Sequence, residues 1–303
     1  MDTAADKIRV GGLVLLGGRS TRMGYEKHRL RTPRGSMLEV ALGQMRQVAG
    51  VLGVSMGARQ QRPQLPHSVL AVPDARPDEG PLQGMVNGFQ ALRAQADVVL
   101  VMPVDMPFLD AGHMRRLLTC LEEDPALHAC VYRHQGFVNA LVGAYRTLLL
   151  PKMEGLLAAG KRRPVFVYEG EPTTILESGR EGEAGADEAA HGHPLADMDT
   201  PQSYRDALLH MGVGTPGAAA VMVSPVLPAP LPEAPEGGRG MVSLYAGNAR
   251  EVMEALRALY PELNAGGLPL GMQRITPSGA PENLPPEAPL EDGDMLCVAR
   301  ISP

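Results

Sequence analysis

Short apolar runs alternate with longer amphipathic segments from Ile8 to about Met211. The runs VGGLVLL, GVLGVSM, SVLAV, DVVLVMPV and ACVYR have the length and apolar content of buried β-strands. Between them, MLEVALGQMRQVAG, PLQGMVNGFQALRAQA and GHMRRLLTCLEED space apolar residues three and four positions apart, as amphipathic helices do. This alternation predicts an α/β domain in which helices flank a mostly parallel sheet.

The pattern changes twice in the rest of the chain. Ser178 to His193 has no periodicity and predicts an irregular excursion, after which DMDTPQSYRDALLHMG predicts a helix capped by Asp199 or Thr200. We expect this helix to close a first domain of residues 1–212.

The end of the chain predicts a linker and a small second domain. Residues 213–240 are rich in Pro, Gly and Ala and predict a linker, although a Val-Met-Val patch within it suits docking on a neighbouring element. Residues 241–303 predict a small α+β domain with a strand (MVSLYA), a helix (AREVMEALRALYPEL), an irregular connection and a last strand (DMLCVARIS).

Composition narrows the classes of function. With 303 residues and 44% hydrophobic content the chain has ample material for a core, and its net charge of −6 disfavours a nucleic-acid-binding surface over the whole molecule. Three widely spaced cysteines predict reduced, buried thiols. The sequence shows neither a signal peptide nor an apolar run of the ~20 residues that span a bilayer. We therefore expect a cytoplasmic protein with a small-molecule partner, and neither nucleic acid nor membrane.

The turn after the first predicted strand, within VLLGGRSTRMGYEK, is the first candidate binding site. Gly17 and Gly18 allow the backbone to approach a ligand, so that their N–H groups can face an anion. The spacing fits neither a Walker A loop nor a dinucleotide-binding turn. Arg19, Arg22 and Lys27 suit a polyphosphate and charge that develops during phosphoryl transfer. The alternative is a tight turn with solvated arginines.

Two acidic residues follow other predicted strands. Asp105, in DVVLVMPVDMPF, comes after a buried strand, at the sheet edge where ligands bind in open α/β folds, and its carboxylate suits magnesium. Asp74, in VPDARPDEGPLQG, follows another buried strand. The alternatives are a helix cap or turn residue for Asp105 and an ordinary loop acid for Asp74.

These stretches together resemble one family. LLGGRSTRMGYEK is similar to the Leu-Ala-Gly-Gly-x-x-x-Arg-Met-Gly signature of the sugar-nucleotide-pyrophosphorylase-like nucleotidyltransferases, specifically the molybdenum cofactor guanylyltransferases. DEGPLQG, PVDMPF, GKRRPVFVY and DMDTPQSY resemble later blocks of that family in the same order, over roughly residues 8–211. The resemblance implies a Rossmann-like sheet of the nucleotide-diphospho-sugar transferase type, and the double glycine favours the guanylyl branch.

The resemblance also implies an activity. It predicts magnesium-dependent transfer of GMP from GTP to molybdopterin, with release of pyrophosphate, in contact with molybdoenzymes or cofactor-insertion proteins. The residues that it assigns are Leu15, Leu16, Gly17 and Gly18 for the base and phosphates, Lys27 and Arg22 for the triphosphate charge, Asp105 for Mg²⁺ and Asp74 for the nucleoside. Lys27, Arg22 and Asp105 are the predicted catalytic residues.

Several positions depart from the family pattern. Leu16 replaces an alanine where the purine approaches, Glu26 replaces an aspartate, and Met56 or Gly57 occupies the place of an asparagine. These departures leave open a cytidylyl- or sugar-1-phosphate transferase, or a non-catalytic cofactor carrier.

The acceptor side of the predicted site departs from the family as well. FVNALVG, with Asn139, stands where relatives often have a His-Pro pair. Arg162 and Arg163 are candidate contacts for the acceptor's phosphate, or else a solvated turn. For His191 and His193 a solvent-exposed position is favoured over metal ligation.

The last 63 residues resemble the β-grasp sulfur-carrier subunit of molybdopterin synthase, chiefly in LEDGDMLCVARISP. Sulfur carriers act through a C-terminal Gly-Gly, whereas this sequence ends Arg-Ile-Ser-Pro. The resemblance therefore implies a docking or cofactor-handover module rather than sulfur transfer. The alternative is an appendage that aids dimerisation.

Overall fold

The computed structural model describes residues 8–16, 27–32, 34–58, 60, 62–74, 80–134, 136–178, 193–199, 203, 207, 210–211, 219–225, 242–246, 248–259, 270–275, 281–290 and 294–300. The chain divides into two units. Unit 1 consists of residues 1–19 and 37–197, and unit 2 consists of residues 20–36 and 198–303. The domain boundaries predicted at residues 212 and 240 stay predictions.

The elements are numbered in chain order. The described strands are β1 (Val10–Leu15), β2 (Arg31–Thr32), β3 (Gly35–Ser36), β4 (Val51–Met56), β5 (Val69–Pro73), β6 (Val98–Pro103), β7 (Ala129–His134), β8 (Phe137–Arg146), β9 (Thr173–Glu177), β10 (Ala219–Pro225), β11 (Val242–Ala246), β12 (Leu270–Ile275), β13 (Pro281–Leu284) and β14 (Met295–Arg300). The α-helices are α1 (Met37–Met45), α2 (Pro81–Leu92), α3 (Ala111–Glu123), α4 (Leu150–Ala158) and α5 (Ala249–Leu259).

Unit 1 contains, in its described part, a seven-stranded sheet with strand order β5-β4-β1-β6-β8-β7-β9. All neighbouring strands run parallel except where β8 pairs antiparallel with β6 and β7. Every residue of the central strand β6 is buried, as its continuous apolar run requires in a sheet covered on both faces. The predicted mostly parallel sheet with flanking helices is confirmed. β8 was not predicted as a strand.

Helix α2 approaches the sheet unusually closely through its glycines. Gly80 stands at its N-terminus with φ +81°, a conformation that favours glycine, and Pro81 occupies the first turn. A Cβ atom at Gly84 would lie 2.5 Å from Ser55 Oγ, and one at Gly88 would lie 2.3 Å from Leu13 Cδ2. The glycines therefore set the distance between α2 and the strands β1 and β4.

The packing of α2 gives a direct stability test. Replacing Gly88 by alanine forces a methyl group against the fully buried Leu13, so we expect a loss of ~1–3 kcal/mol of unfolding free energy. Urea unfolding monitored by circular dichroism measures this loss. Gly155→Ala in α4 is the matched control, because a Cβ atom there meets nothing within 4 Å. We expect this control to be stabilised by ~0.5–1 kcal/mol. Equal effects of the two substitutions would contradict the packing account.

Outside the core, an ion pair joins the starts of β1 and β6. The guanidinium of Arg9 donates from Nη2 to Asp97 Oδ1 at 2.6 Å and from Nε to Oδ2 at 3.1 Å. These bonds and the backbone N–H of Arg9 hold the pKa of Asp97 below its usual range. The two thiols whose side chains are described, half-buried Cys120 and buried Cys130, are free. In the described residues, no helix is both long enough and apolar enough to cross a membrane.

Unit 2 contains, among its described residues, the small β2–β3 ladder and a five-stranded sheet of order β11-β10-β14-β12-β13. β10 runs parallel to β14, and the other neighbours are antiparallel. The buried Val252 and Leu256 of α5 pack against Met272, Leu296 and Val298 of this sheet. β10 lies inside the predicted linker, and β12 and β13 lie inside the predicted irregular connection. The β-grasp resemblance stays a prediction.

Candidate functional site

The carboxyl ends of four parallel strands form one edge of the unit 1 sheet. Three backbone hydrogen bonds extend the ladders beyond the strands: Leu16 N–H donates to Ser55 O at 3.0 Å, Asp74 N–H to Met56 O at 2.8 Å, and Val104 N–H to Leu15 O at 2.9 Å. Leu16 and Asp74 are therefore both fixed to the end of β4, and Val104 is fixed to the end of β1. This edge is where α/β sheets bind their ligands.

Asp74 is oriented at this edge by α2. Asn87 Nδ2 donates to Asp74 Oδ1 at 2.8 Å, and Gln83 Nε2 donates to Asn87 Oδ1 at 2.8 Å. Gln83 and Asn87 are four residues apart on one face of α2. The sequence analysis missed both residues. Their spacing in PLQGMVN was a signal, but nothing local connected it with Asp74.

Asp105 lies directly after β6, and its half-buried side chain stands between the buried residues Val104 and Met106. In the described part of the chain, no group of three or more His, Cys, Asp or Glu residues is arranged to hold a metal ion. Mg²⁺ is commonly bound by one or two carboxylates together with substrate phosphates and waters, rather than by a cage of protein ligands. A single carboxylate at this edge fits that mode of binding.

The backbone of Leu15 and Leu16 belongs to the same edge, but their side chains are buried, with 4% and 1% exposed. The bulk of Leu16 is therefore accommodated inside the protein. Only backbone groups of these two residues are placed to meet a nucleotide. The roles predicted for Gly17, Gly18 and Arg22 concern residues outside the described part of the chain.

The strand β4 ends at Met56, where the family resemblance led us to expect an asparagine nearby. Met56 is 3% exposed, so its side chain belongs to the core. Gly57 N–H donates to Gln60 Oε1 at 2.8 Å. Gln60 therefore supplies an amide side chain next to the end of β4.

Lys27, in unit 2, forms an ion pair with Asp199. Both side chains are largely withdrawn from solvent, with 15% and 27% exposed. The carboxylate fixes the position of the ammonium group, which is the preorganisation that favours electrostatic stabilisation of a charged ligand. The sequence analysis assigned Asp199 only as an alternative helix cap and missed this contact.

A cavity of about 400 Å³ lies in unit 1 between the β7–β8 hairpin and the segment around Arg163. The hairpin and the facing segments supply the lining residues, which are His134, Phe137, Val138, Asn139, Ala140, Leu141, Arg163, Pro164, Val165 and Leu195. The walls are mostly apolar and include one cation, one amide and one imidazole. This volume and this mixture are typical of sites for small molecules.

An irregularity in β8 shapes the wall of the cavity. The β7–β8 register shifts after Val131, so that Tyr132 pairs with Asn139. Asn139 Oδ1 accepts a hydrogen bond from Leu141 N at 3.1 Å, and Tyr145 Oη donates to Ala140 O at 2.6 Å. Bulges of this kind often re-aim side chains beside functional sites. The irregularity places Asn139 at the cavity.

The two arginines in GKRR are exposed. A Cβ atom at Gly80 would lie 3.7 Å from Arg162 Cβ, so the arginine segment lies against the N-terminus of α2. Arg163 lines the cavity. Asn139 and Arg163, which the sequence analysis named for the acceptor side, are thus brought together, and Arg162 lies beside them.

Comparisons with known proteins relate the N-terminal half of the chain to one family. Residues 12–172 match the family described as the MobA-like NTP transferase domain. A probable molybdenum cofactor guanylyltransferase from Chloroflexus aggregans is 32% identical over 161 residues, which cover 51% of this chain and 74% of that protein. A probable molybdenum cofactor guanylyltransferase from Mycobacterium avium is 32% identical over 161 residues, which cover 52% of this chain and 80% of that protein.

Among solved structures, molybdopterin-guanine dinucleotide biosynthesis protein A from Archaeoglobus fulgidus superposes with a TM-score of 0.52 at 17% identity. The match covers 67% of this chain and 98% of that protein. At this level of identity the similarity shows a shared fold. The predicted nucleotide-diphospho-sugar transferase type of sheet is confirmed.

Proposed function

This chain belongs to the family of MobA-like NTP transferases, and from that we propose that it transfers GMP from GTP to molybdopterin. The products are pyrophosphate and the guanine dinucleotide form of the molybdenum cofactor. The main structural support is the edge of the unit 1 sheet, where Leu16, Asp74 and Asp105 follow β1, β5 and β6, three of the four parallel strands that end there. The named relatives are guanylyltransferases, which favours GTP over CTP as the donor.

The nucleotide binds along this edge of the unit 1 sheet. Asp74, oriented by Asn87, accepts hydrogen bonds from the nucleoside. The backbone of Leu16 contacts the phosphates, and the family resemblance assigns to Lys27 the charge that develops on the departing pyrophosphate. Asp105 would hold Mg²⁺, which would supply Lewis-acid stabilisation of the phosphoryl group. Binding and orientation account for most of the catalysis, because no covalent protein intermediate is required.

The acceptor occupies the cavity at the β7–β8 hairpin. Its phosphate lies near Arg163, and its flat heterocycle lies against the apolar walls beside Asn139. An oxygen of that phosphate attacks the α-phosphorus of GTP, so a new P–O bond forms as the bond to pyrophosphate breaks. The predicted molybdoenzyme or cofactor-insertion partners and the cytoplasmic location stay predictions.

The decisive experiment offers the protein each nucleoside triphosphate with Mg²⁺ and molybdopterin and identifies the product by mass spectrometry. We expect the guanine dinucleotide with GTP, and little product with CTP or ATP. Formation of the cytosine dinucleotide would assign the chain to cytidylyl transfer. Pterin binding without release of pyrophosphate would make it a cofactor carrier. Omission of Mg²⁺ tests the metal requirement in the same assay.

Asn87 provides a test of how the nucleoside is positioned. Asn87→Ala removes the hydrogen bond to Asp74, and we expect the KM for GTP to rise about tenfold, since a hydrogen bond to a charged group is lost. The KM for molybdopterin should not change. Gln90→Ala, which removes an exposed hydrogen bond to Glu154 from the same helix, is the control. An Asn87→Ala enzyme with the KM of the wild type would show that Asp74 does not bind the nucleoside.

A further inference from the structure

Two histidines and a serine form a hydrogen-bonded cluster beside the cavity. His134 is the last residue of β7, Ser178 follows β9, and His193 begins the next described segment. His134 Nδ1 lies 3.2 Å from Ser178 Oγ, and His193 Nε2 lies 3.1 Å from the same oxygen. The two imidazole rings lie face to face with centroids 3.4 Å apart and planes tilted by 32°. The sequence interpretation of His193 as solvent-exposed is therefore wrong.

Ser178 fixes the geometry of this cluster. Its backbone N–H donates to Arg133 O at 2.9 Å, which attaches it to the end of β7. Only 4% of its surface is exposed, so water does not compete for its hydroxyl group. The serine is therefore a fixed bridge between the two rings.

The direction of the hydrogen bonds follows from one backbone donor. Leu195 N–H donates to His193 Nδ1 at 3.1 Å, so that nitrogen has no proton. In the neutral ring the proton is then on Nε2 of His193, which donates to Ser178 Oγ. We infer that the hydroxyl proton of Ser178 is donated to His134 Nδ1, because accepting from both rings would leave this buried proton without an acceptor among the described residues.

This arrangement determines which nitrogen of His134 holds the proton. With Nδ1 as the acceptor, the proton of the neutral ring lies on Nε2. Within the residues that the structure describes, Nε2 makes no hydrogen bond. His134 lines the cavity, and its cross-strand partner Phe137, 82% exposed, lines it as well. With this tautomer, the imidazole of His134 that lines the cavity has its proton on Nε2.

We propose that His134 donates this Nε2–H hydrogen bond to an oxygen or ring nitrogen of the acceptor's heterocycle, and that Ser178 and His193 are positioning residues for it. This inference rests on the proposed function, since it takes the cavity as the acceptor site. It assigns heterocycle recognition to the hairpin side and leaves the acceptor's phosphate to Arg163. An acceptor without a hydrogen-bond acceptor on its ring would leave the donor unpaired, and that penalty is the source of specificity.

Nuclear magnetic resonance tests the tautomer directly. Histidine ring nitrogens labelled with ¹⁵N are assigned through a His134→Phe variant, in the full-length protein without ligand. We expect the wild-type His134 ring to hold its proton on Nε2, and Ser178→Ala to give a mixture of tautomers. Ser178→Thr, which keeps the hydroxyl group, should preserve the wild-type pattern. A proton on Nδ1 of His134 in the wild type, or no change of tautomer in Ser178→Ala, would contradict the proposed hydrogen bonds from His193 through Ser178 to His134.

Steady-state kinetics tests whether the His134, Ser178 and His193 cluster contributes to recognition of the acceptor. We expect Ser178→Ala and His193→Ala each to raise the KM for molybdopterin about tenfold, as the loss of an ordered hydrogen bond predicts. The kcat and the KM for GTP should stay within about twofold of the wild-type values, since a hydrogen bond made equally in ground and transition states changes KM alone. Ser178→Thr should restore the KM for molybdopterin. An unchanged KM for molybdopterin in both alanine variants, or an equal rise in the KM for GTP, would refute the assignment.

The experiments distinguish failure of the proposed guanylyl transfer from failure of the proposed role of His134. If the wild type releases no pyrophosphate from GTP and molybdopterin, guanylyl transfer is excluded, whatever the state of His134. Titration with pterin-6-carboxylic acid then decides the inference, because it requires no turnover. A shift of the His134 Nε2 resonance that is lost in Ser178→Ala supports heterocycle recognition, and the absence of any shift excludes it.

Discussion

Replacing Asp105 by alanine should lower the rate of pyrophosphate release from GTP at least ~100-fold, because charge developing in the transition state loses its fixed partner. The carboxylate follows β6 at the sheet edge, between the buried Val104 and Met106. The two neighbours fix the backbone of the turn, so the substitution removes the charge without moving the segment. The fold should therefore be unaffected, as a melting temperature within a few degrees of the wild type would show.

The Asp105 experiment is best done as a Mg²⁺ titration. In the wild type the rate should rise with Mg²⁺ and saturate, whereas Asp105→Asn should require a much higher concentration. Glu123→Ala, which removes an exposed acid from the end of α3, is the control for loss of negative charge. Wild-type rates in Asp105→Ala at all Mg²⁺ concentrations would remove Asp105 from the site.

The elements that the sequence predicted correctly are those whose signal is local. The strands β1, β4 and β6 are short, mostly apolar runs, and α2 and α3 have helical spacing, so each can be recognised without its neighbours. Because parallel strands align their carboxyl ends, the placement of Asp74 and Asp105 at one edge also followed from the sequence. This is why the position of Asp74 and Asp105 at one edge of the sheet could be predicted.

The missed elements depend on contacts between distant parts of the chain. The register shift near Val131 breaks the alternation of β8. β10 is a short apolar run among Pro and Gly residues, and becomes a strand through pairing with β11 and β14. The polar contacts of the site also join residues that are distant in the sequence, so the sequence pattern does not reveal them. Asn87 reaches Asp74 only because glycines bring α2 close to the sheet, and the His134, Ser178 and His193 cluster joins the ends of separate segments.

Lys27→Ala is expected to have an effect as large as that of Asp105→Ala, for a different reason. The ammonium group is paired with Asp199 and largely shielded from solvent, so its charge acts on a polyphosphate through a medium that screens weakly. We expect kcat/KM for GTP to fall at least ~100-fold when this charge is removed. Lys152→Ala is the control. Lys152 lies on α4 and forms an ion pair with Glu171, so this variant removes the same positive charge at a different place.

A substitution of Asp199 distinguishes the effect of the Lys27 charge from the effect of the position of its ammonium group. Asp199→Asn keeps Lys27 and a hydrogen-bond acceptor but removes the ion pair, so the ammonium group is held less firmly. We expect a smaller loss than in Lys27→Ala, about tenfold in kcat/KM for GTP, because the charge is still available to the triphosphate. The double variant Lys27→Ala/Asp199→Asn should be no slower than Lys27→Ala alone, since Asp199 acts through Lys27. A double variant in which the two losses multiply would show that Asp199 contributes to the reaction independently of the lysine. Wild-type kcat/KM in Lys27→Ala would place the triphosphate elsewhere in the protein.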